Sequence, residues 1–266
     1  MKILPVVVLY NVDFRETNVF QTLLSHQPDC RFLIYENSPE PLNQRYESET
    51  IYYYHDTANG GVSAAYNYGA SLAERLGDID ALLLMDEDTQ FQSDFLQVML
   101  SASETHPDID LFVPQVLYSG NQPFSPIHRG LRRKRGAMLA EGRYSLKRYL
   151  PVNSGACVRL NAFRRAGGYN ANIRLDFADF DFFSRLAEVS ESFYLVNSQA
   201  RQSFSNEETQ QDRLLRRFQF YLEGARAARR NRLISRMVVV ESLRHTLALT
   251  VRTRSLRFLV GYFKAI

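Results

Sequence analysis

The run Ala81-Leu82-Leu83-Leu84-Met85, followed directly by Asp86-Glu87-Asp88, constrains this chain more than any other stretch. Consecutive aliphatic residues suit a strand covered on both faces, as in a parallel sheet flanked by helices, and not a half-solvated strand, which alternates. Adjacent carboxylates repel one another and raise each other's pKa unless a cation compensates. Open α/β sheets bind ligands beyond the carboxyl ends of their strands, which is where this cluster falls. Asp86 and Asp88 lie on the same side of an extended segment. Both could therefore serve a hard, oxygen-preferring ion such as Mg²⁺ or Mn²⁺, with phosphate oxygens in its remaining positions. The competing reading is a strand-to-loop turn with solvated acids, and an isolated D-x-D pattern does not decide between them.

The rest of the chain supports an α/β layout. Val6-Val7-Val8-Leu9 reads as a buried strand, 16 to 25 as a helix through Val19, Phe20, Leu23 and Leu24, and Arg31 to Tyr35 as a second strand. Ile51 to Tyr54 is a third strand. Asn59-Gly60-Gly61 then opens a helix that carries Ala65, Tyr68, Leu72 and Leu76 and stops at Gly77. Further elements are a helix near 93 to 104, a strand over 111 to 117, a strand and turn over 151 to 158, a short helix from Leu160, and an acidic helix from Asp176 to Leu186. Between 120 and 148 the sequence shows no period, and it is read as a long basic loop centred on Arg129 to Arg135. Past Phe204 two helices are expected, over 208 to 232 and 233 to 263.

With 266 residues the chain can form one large α/β domain with an appendage, divided here into 1–205 and a basic helical extension, 206–266. Charge follows that division. The net charge of +3 conceals a tail from 201 onward with 14 Lys and Arg against 5 acids. So basic a tail suits an anionic membrane surface or is a solvated helical face, while its apolar residues could serve packing on the α/β domain or homodimer formation. No nucleic-acid module accompanies it, so nucleic acid is not expected as a partner. Cys30 and Cys157 have no metal-ligand spacing and read as reduced thiols in or near the core. The start Met1-Lys2-Ile3-Leu4-Pro5 lacks the form of a signal peptide, and no apolar run approaches the roughly 18 residues of a membrane span. The expected location is cytoplasmic, either free or peripheral on the inner face of the cell membrane.

Taken in order, several motifs resemble the nucleotide-binding half of GT-A glycosyltransferases of family 2. They are the strand ending in Tyr10-Asn11, the strand ending in Glu36-Asn37-Ser38, the block Asn59-Gly60-Gly61 with Ala65, Asn67 and Gly69, and Asp86-Glu87-Asp88. Downstream, Asn153-Ser154-Gly155, Gly167-Gly168-Tyr169-Asn170 and the stretch from Asp176 to Arg185 are similar to rhamnosyltransferase-like members, whose pattern is D-x-x-D-x-E/D-x-x-x-R. The resemblance covers residues 3 to 205. It implies a Rossmann-like, mostly parallel sheet flanked by helices, with the C-terminal helices as an extension.

The resemblance further implies an inverting, metal-dependent transfer of a sugar such as rhamnose or galactose. The donor would be UDP- or dTDP-linked, and the acceptor a glycan or a lipid-linked glycan of cell-surface polysaccharide synthesis. Glu36 stands where the family has an Asp that holds the base, with Tyr10 and Asn11 lining the pocket and Asn59, Gly60 and Gly61 allowing close backbone approach. Asp88 would be the direct ligand of Mn²⁺ or Mg²⁺, and Asp86 a ribose or metal-shell contact. Asp179 matches the catalytic base that takes the acceptor's proton; on the residues alone, Asp176, Asp179 and Asp181 could equally serve a helix N-terminus. Many relatives carry a His about twenty residues later. Here the stretch reads Ala200-Arg201-Gln202, so either Gln202 replaces that His or Arg201 contacts the diphosphate. Asp181 and Arg132 are further candidates for diphosphate or acceptor contacts. The basic loop around Arg132 could clamp a donor diphosphate or a pyrophosphate-linked acceptor, or be merely solvated. A sugar nucleotidyltransferase is the alternative enzyme, although no G-x-G-x-R-type loop follows the first strand. A non-catalytic scaffold would require Glu36, Asp88 and Asp179 all to be dispensable.

Overall fold

A computed structural model describes residues 1–118, 121–130, 136, 138–202 and 211–266. Its centre is a sheet in the order β3-β2-β1-β4-β11-β6-β12-β5. These strands are β1 (Ile3–Leu9), β2 (Phe32–Glu36), β3 (Ile51–His55), β4 (Ala81–Asp86), β5 (Thr89–Gln90), β6 (Leu111–Tyr118), β11 (Ala156–Arg159) and β12 (Ser192–Gln202). The run β3-β2-β1-β4 is parallel throughout, with Leu9 opposite Glu36, Glu36 opposite His55 and Val8 opposite Asp86. This register brings the carboxyl ends of four strands to one edge of the sheet. β11 is inserted antiparallel between β4 and β6, while β12 runs parallel to β6.

The continuous apolar runs are explained by burial on both faces. Leu82 and Leu84 join one core cluster with Leu4 and Val6, while Leu83 and Met85 point the other way to join Val7 and Leu9. Helix α2 (Gly61–Leu76) covers the first face through Val62, Ala65, Tyr66, Ala70 and Ala73. Gly77, at φ 73°, closes it with an N–H bond to the Ala73 carbonyl, an αL cap. Helix α3 (Phe95–Thr105) covers the second face with Phe95, Leu96 and Met99.

Several expectations need correction. The helix expected over 16 to 25 is only α1 (Asn18–Thr22) between two single 3-10 turns, because Thr17 caps it and Leu23, at φ −130°, breaks it. The region read as one irregular loop contains β7 (Gln122–Ser125), β8 (Ile127–His128), β9 (Gly142–Ser145) and β10 (Tyr149–Leu150). β7 pairs with β6, β9 with β12, and β8 with β10. The acidic helix is α5 (Ala178–Leu186), and the short helix before it is α4 (Leu160–Arg165).

The tail forms three helices, α6 (Gln211–Ala228), α7 (Ser235–Thr253) and α8 (Arg257–Ala265). Arg254, at φ 51°, ends α7 and breaks the long second helix expected there. The extension is not a separate body. Ala225, Ala228, Ile234, Met237 and Val238 belong to the same core cluster as α2 and α5.

Candidate active site

Where β1 ends, the Tyr10 ring is 50 % exposed and its N–H donates to Glu87 Oε2 at 2.8 Å. Glu87 therefore ties the exits of β1 and β4 together. Burial pushes its carboxyl up to about 7, with Asp88 and Asp86 adding repulsion. Asn11, at φ 55°, donates its N–H to Ser38 Oγ at 2.8 Å, and His55 Nε2 lies 2.8 Å from the Ser38 carbonyl. Asn37 bonds through its N–H to the Leu9 carbonyl and accepts from the Gly61 N–H. Asn37 and Ser38 thus knit the ends of β1, β2 and β3 to the start of α2, roles not assigned from sequence.

Glu36 does not present its carboxylate to this edge. It is 0 % exposed, and its oxygens accept from the Leu42 and Asn43 N–H groups, the Asn43 amide and the Tyr53 hydroxyl at 2.7 Å. With this many internal donors satisfying it, the side chain clamps the loop after β2; the base-holding role expected for it does not fit the geometry.

Asn59 adopts φ 49°, and its N–H donates to the Asp56 carbonyl. The turn is organised by Asp56, which the sequence reading overlooked: its carboxylate accepts from the Ala58 and Gly60 N–H groups and from the Tyr35 hydroxyl. Gly61 serves packing. At φ 71°, a Cβ there would stand 2.1 Å from the Arg174 carbonyl oxygen, and the neighbouring Val62 N–H donates to that same carbonyl at 2.9 Å. Backbone strain and a backbone clash coincide, so Gly61→Ala should cost about 3 kcal/mol or more and lower the Tm by roughly 10 °C in a thermal melt. The contact also joins the two halves of the site, because residues 173–174 lie just before α5.

The acidic cluster divides into three environments. Asp86 accepts from the Tyr66 hydroxyl at 3.2 Å and from Ser154 Oγ at 2.8 Å; burial raises its pKa against the effect of these two bonds. Asp88 is pushed up to about 6 by burial and by the Asp86 charge, while the Gln202 amide, hydrogen-bonded to it, pulls the other way. Asp88 Oδ1 is buried without a well-formed hydrogen bond among the described residues, and the Thr89 hydroxyl beside it makes only a weak contact that helps to lower the Asp88 pKa. Native chains rarely leave such atoms unsatisfied. A buried carboxylate oxygen left unsatisfied beside a second carboxylate suits a hard cation. Among the described residues no three His, Cys, Asp or Glu side chains gather as a metal cage.

Pairing of β12 with β5 sets Gln202 opposite Thr89 and brings it to Asp88, whereas the Arg201 guanidinium donates to Asn121. Of the two replacements left open for the family His, Gln202 is the one that reaches the cluster. Arg132 and most of the basic loop, 131–135, lie outside the described residues. Arg129, just before them, donates to Ser184 Oγ on α5 at 2.6 Å.

The acids of α5 also separate. Asp181 is 2 % exposed, paired with Arg185 at 2.8 Å and bonded by the Asn231 amide at 3.0 Å, so it fastens α5 to the turn before α7. That commitment removes Asp181 from the ligand contacts expected of it. Asp176 likewise pairs with Arg217 of α6. Asp179 is only half-buried. Burial raises the pKa of both Tyr66 and Tyr169, whose rings lie 5.1 Å apart, and the charges of Asp86 and Asp179 add to it. Asp86, through the Tyr66 hydroxyl, and α5, through the stacking of Phe182 on Tyr169 at 4.3 Å, thus meet at one buried tyrosine pair. The Tyr169 hydroxyl donates to Asn153, completing a polar cluster built on Asn153 and Ser154.

A family model, glycosyl transferase family 2, matches residues 35–167, half of the chain, which includes the acidic cluster and Asn153-Ser154-Gly155 and stops short of Asp179. A sequence comparison with curated proteins finds no match. Among solved structures, S. aureus TarS 1-349 in complex with UDP is similar in fold, with 12 % identity, a TM-score of 0.59, and coverage of 91 % of this chain and 71 % of that one. GalNAc-T7 with UDP, GalNAc and Mn²⁺ has 9 % identity and a TM-score of 0.55 over 88 % of this chain; the match spans about half, 48 %, of its length. On this match, and with the mixed, mostly parallel sheet and flanking helices in place, the chain belongs to glycosyltransferase family 2.

Proposed function

We propose that this protein transfers a sugar, with inversion, from a nucleotide diphosphate donor to an acceptor hydroxyl, and that the donor binds at the carboxyl edge of β1 to β4. The run of contacts from Asp86 through the Tyr66 hydroxyl and the Tyr66–Tyr169 ring pair to Phe182 of α5, the helix that carries Asp179, supports this reading, since it links the acidic cluster to the helix of the proposed base. The exposed Tyr10 ring would stack on the base, with Asn11 beside it. Asp88, with Asp86 in support, would hold Mn²⁺ or Mg²⁺, which when bound offsets the charge of the leaving diphosphate. The complexes of TarS with UDP and of GalNAc-T7 with UDP and Mn²⁺ favour a uridine donor and manganese.

Asp179 accepts the proton of the acceptor hydroxyl as its oxygen attacks the anomeric carbon. The bond from that carbon to the diphosphate oxygen breaks on the opposite face, and the electron pair leaves with the nucleoside diphosphate. Gln202 orients Asp88 and supplies a neutral amide where relatives have a His. Rhamnose, galactose or a similar hexose passing to a glycan or lipid-linked acceptor of a cell-surface polysaccharide is the reading inherited from the resemblance. A panel of UDP- and dTDP-sugars assayed for slow hydrolysis with Mn²⁺ should single out one donor by release of its nucleoside diphosphate. Release of pyrophosphate from a nucleoside triphosphate and a sugar phosphate would instead indicate nucleotidyl transfer.

A further inference from the structure

Helix α7 carries apolar residues on two faces. Its inward face buries Met237, Val238 and Leu249 beside Ser242 and Thr246, while Leu243, Leu247 and Val251, spaced at four, face outward, Val251 at 76 % exposure. Helix α8 likewise bears apolar residues on both its inner and its outer face. Phe258 and Tyr262 pack with Phe218 and Leu222 of α6, and Leu256, Val260 and Phe263 face out, with Leu256 at 69 % and Phe263 at 72 %. An apolar stripe spaced at three and four on an exposed helix face requires a cover.

Charge decides which cover. From Ser235 to Ile266 there are six Lys and Arg and a single acid, Glu241, which lies 3.7 Å from Arg244. A second copy would bring the same cations against these cations, whereas an anionic surface complements them. Between α6 and the end of α8, Arg226, Arg229, Arg230 and Lys264 line, with Ala265 and Ile266, a cavity of about 430 Å³, in which Arg229 donates to the Ile266 carbonyl and the other three cations could meet a phosphate headgroup. Among the described residues no helix is long and apolar enough to cross a membrane, so contact with a bilayer would be interfacial.

We infer that α7 and α8 lay their outer faces on an anionic phospholipid surface, with Leu247, Val251 and Phe263 entering the acyl boundary and the arginine-lined cavity taking a headgroup phosphate. The inference rests on these faces and is independent of the transfer chemistry. The test is co-sedimentation of the full chain with vesicles of phosphatidylcholine containing about 30 mol % phosphatidylglycerol, against phosphatidylcholine alone. Binding should occur on the anionic vesicles only and fall steeply between about 50 and 500 mM salt. The double variant Val251→Ser with Phe263→Ser, and separately Arg230→Ser with Lys264→Ser, should each weaken it about tenfold, with thermal melts and donor hydrolysis in solution unchanged. If the first pair misfolds, Leu247→Gln carries the same test. Equal binding to neutral vesicles, absence of binding, or a solution dimer dispersed by Val251→Ser with Phe263→Ser would each overturn the inference.

Discussion

Replacing Asp179 by Asn should lower the transfer rate about a thousandfold while leaving donor affinity and Tm close to those of the wild type. The carboxylate lies in the first turn of α5, where Oδ1 accepts the Phe180 N–H at 2.8 Å, a bond that an amide oxygen can keep. The loss would then be one of basicity. Steady-state kinetics with the donor found in the panel, together with calorimetric donor binding, separate the two effects. A variant equally weak in binding and turnover would make Asp179 a donor contact, and one with full turnover would remove it from the chemistry. Asp181→Asn is the contrasting case. It breaks a buried ion pair with Arg185, so its effect should be on folding, and any lost activity should follow lost protein.

The second large effect concerns Asp88. Its carboxyl is held up at about 6 with one oxygen unsatisfied, so the native state favours the protonated form. A folded pKa above the unfolded 3.8 means that ionising this group opposes folding, and the penalty grows as pH rises from about 4 through 6. Without metal, Asp88→Asn should therefore stabilise the protein by about 1 kcal/mol at pH 8, a few degrees in Tm, and change little at pH 4. With Mn²⁺ and donor the sign of its effect on function reverses, and transfer should fall at least about a hundredfold. A residue that destabilises the free protein and is required by the loaded one is the expected signature of a ligand site.

The parts of the fold legible in the sequence are those that one segment determines by itself. Ala81 to Met85 is apolar without a break because both its faces are covered, and Gly77 marks the end of α2 because only the left-handed region closes that cap. β12 could not be read this way. Asn197, Ser198, Gln199 and Arg201 interrupt its pattern, and its place in the sheet comes from β6, β9 and β5 around it. The strands between 122 and 150 are equally dependent on partners distant in sequence.

The site follows the same division. Asp86, Asp88 and Asp179 were legible as candidates because the resemblance fixed their order. Glu36 and Asp181 were matched just as well and turn out to be internal anchors, since what separates them from Asp88 is the partners they meet: Asn43 and Tyr53 in one case, Arg185 and Asn231 in the other. Tyr66 carried no signal, being an aromatic residue on an apolar face, and Tyr169 was legible only as part of a motif with no role attached. Only the fold reveals that the two rings pack together between Asp86 and α5.

The most direct test of the account is calorimetric titration of UDP into the wild-type protein and into Asp88→Asn, with and without Mn²⁺. Binding that requires Mn²⁺ and is at least about tenfold weaker in the variant is the predicted result. UDP binding that is indifferent both to the metal and to Asp88 would contradict it.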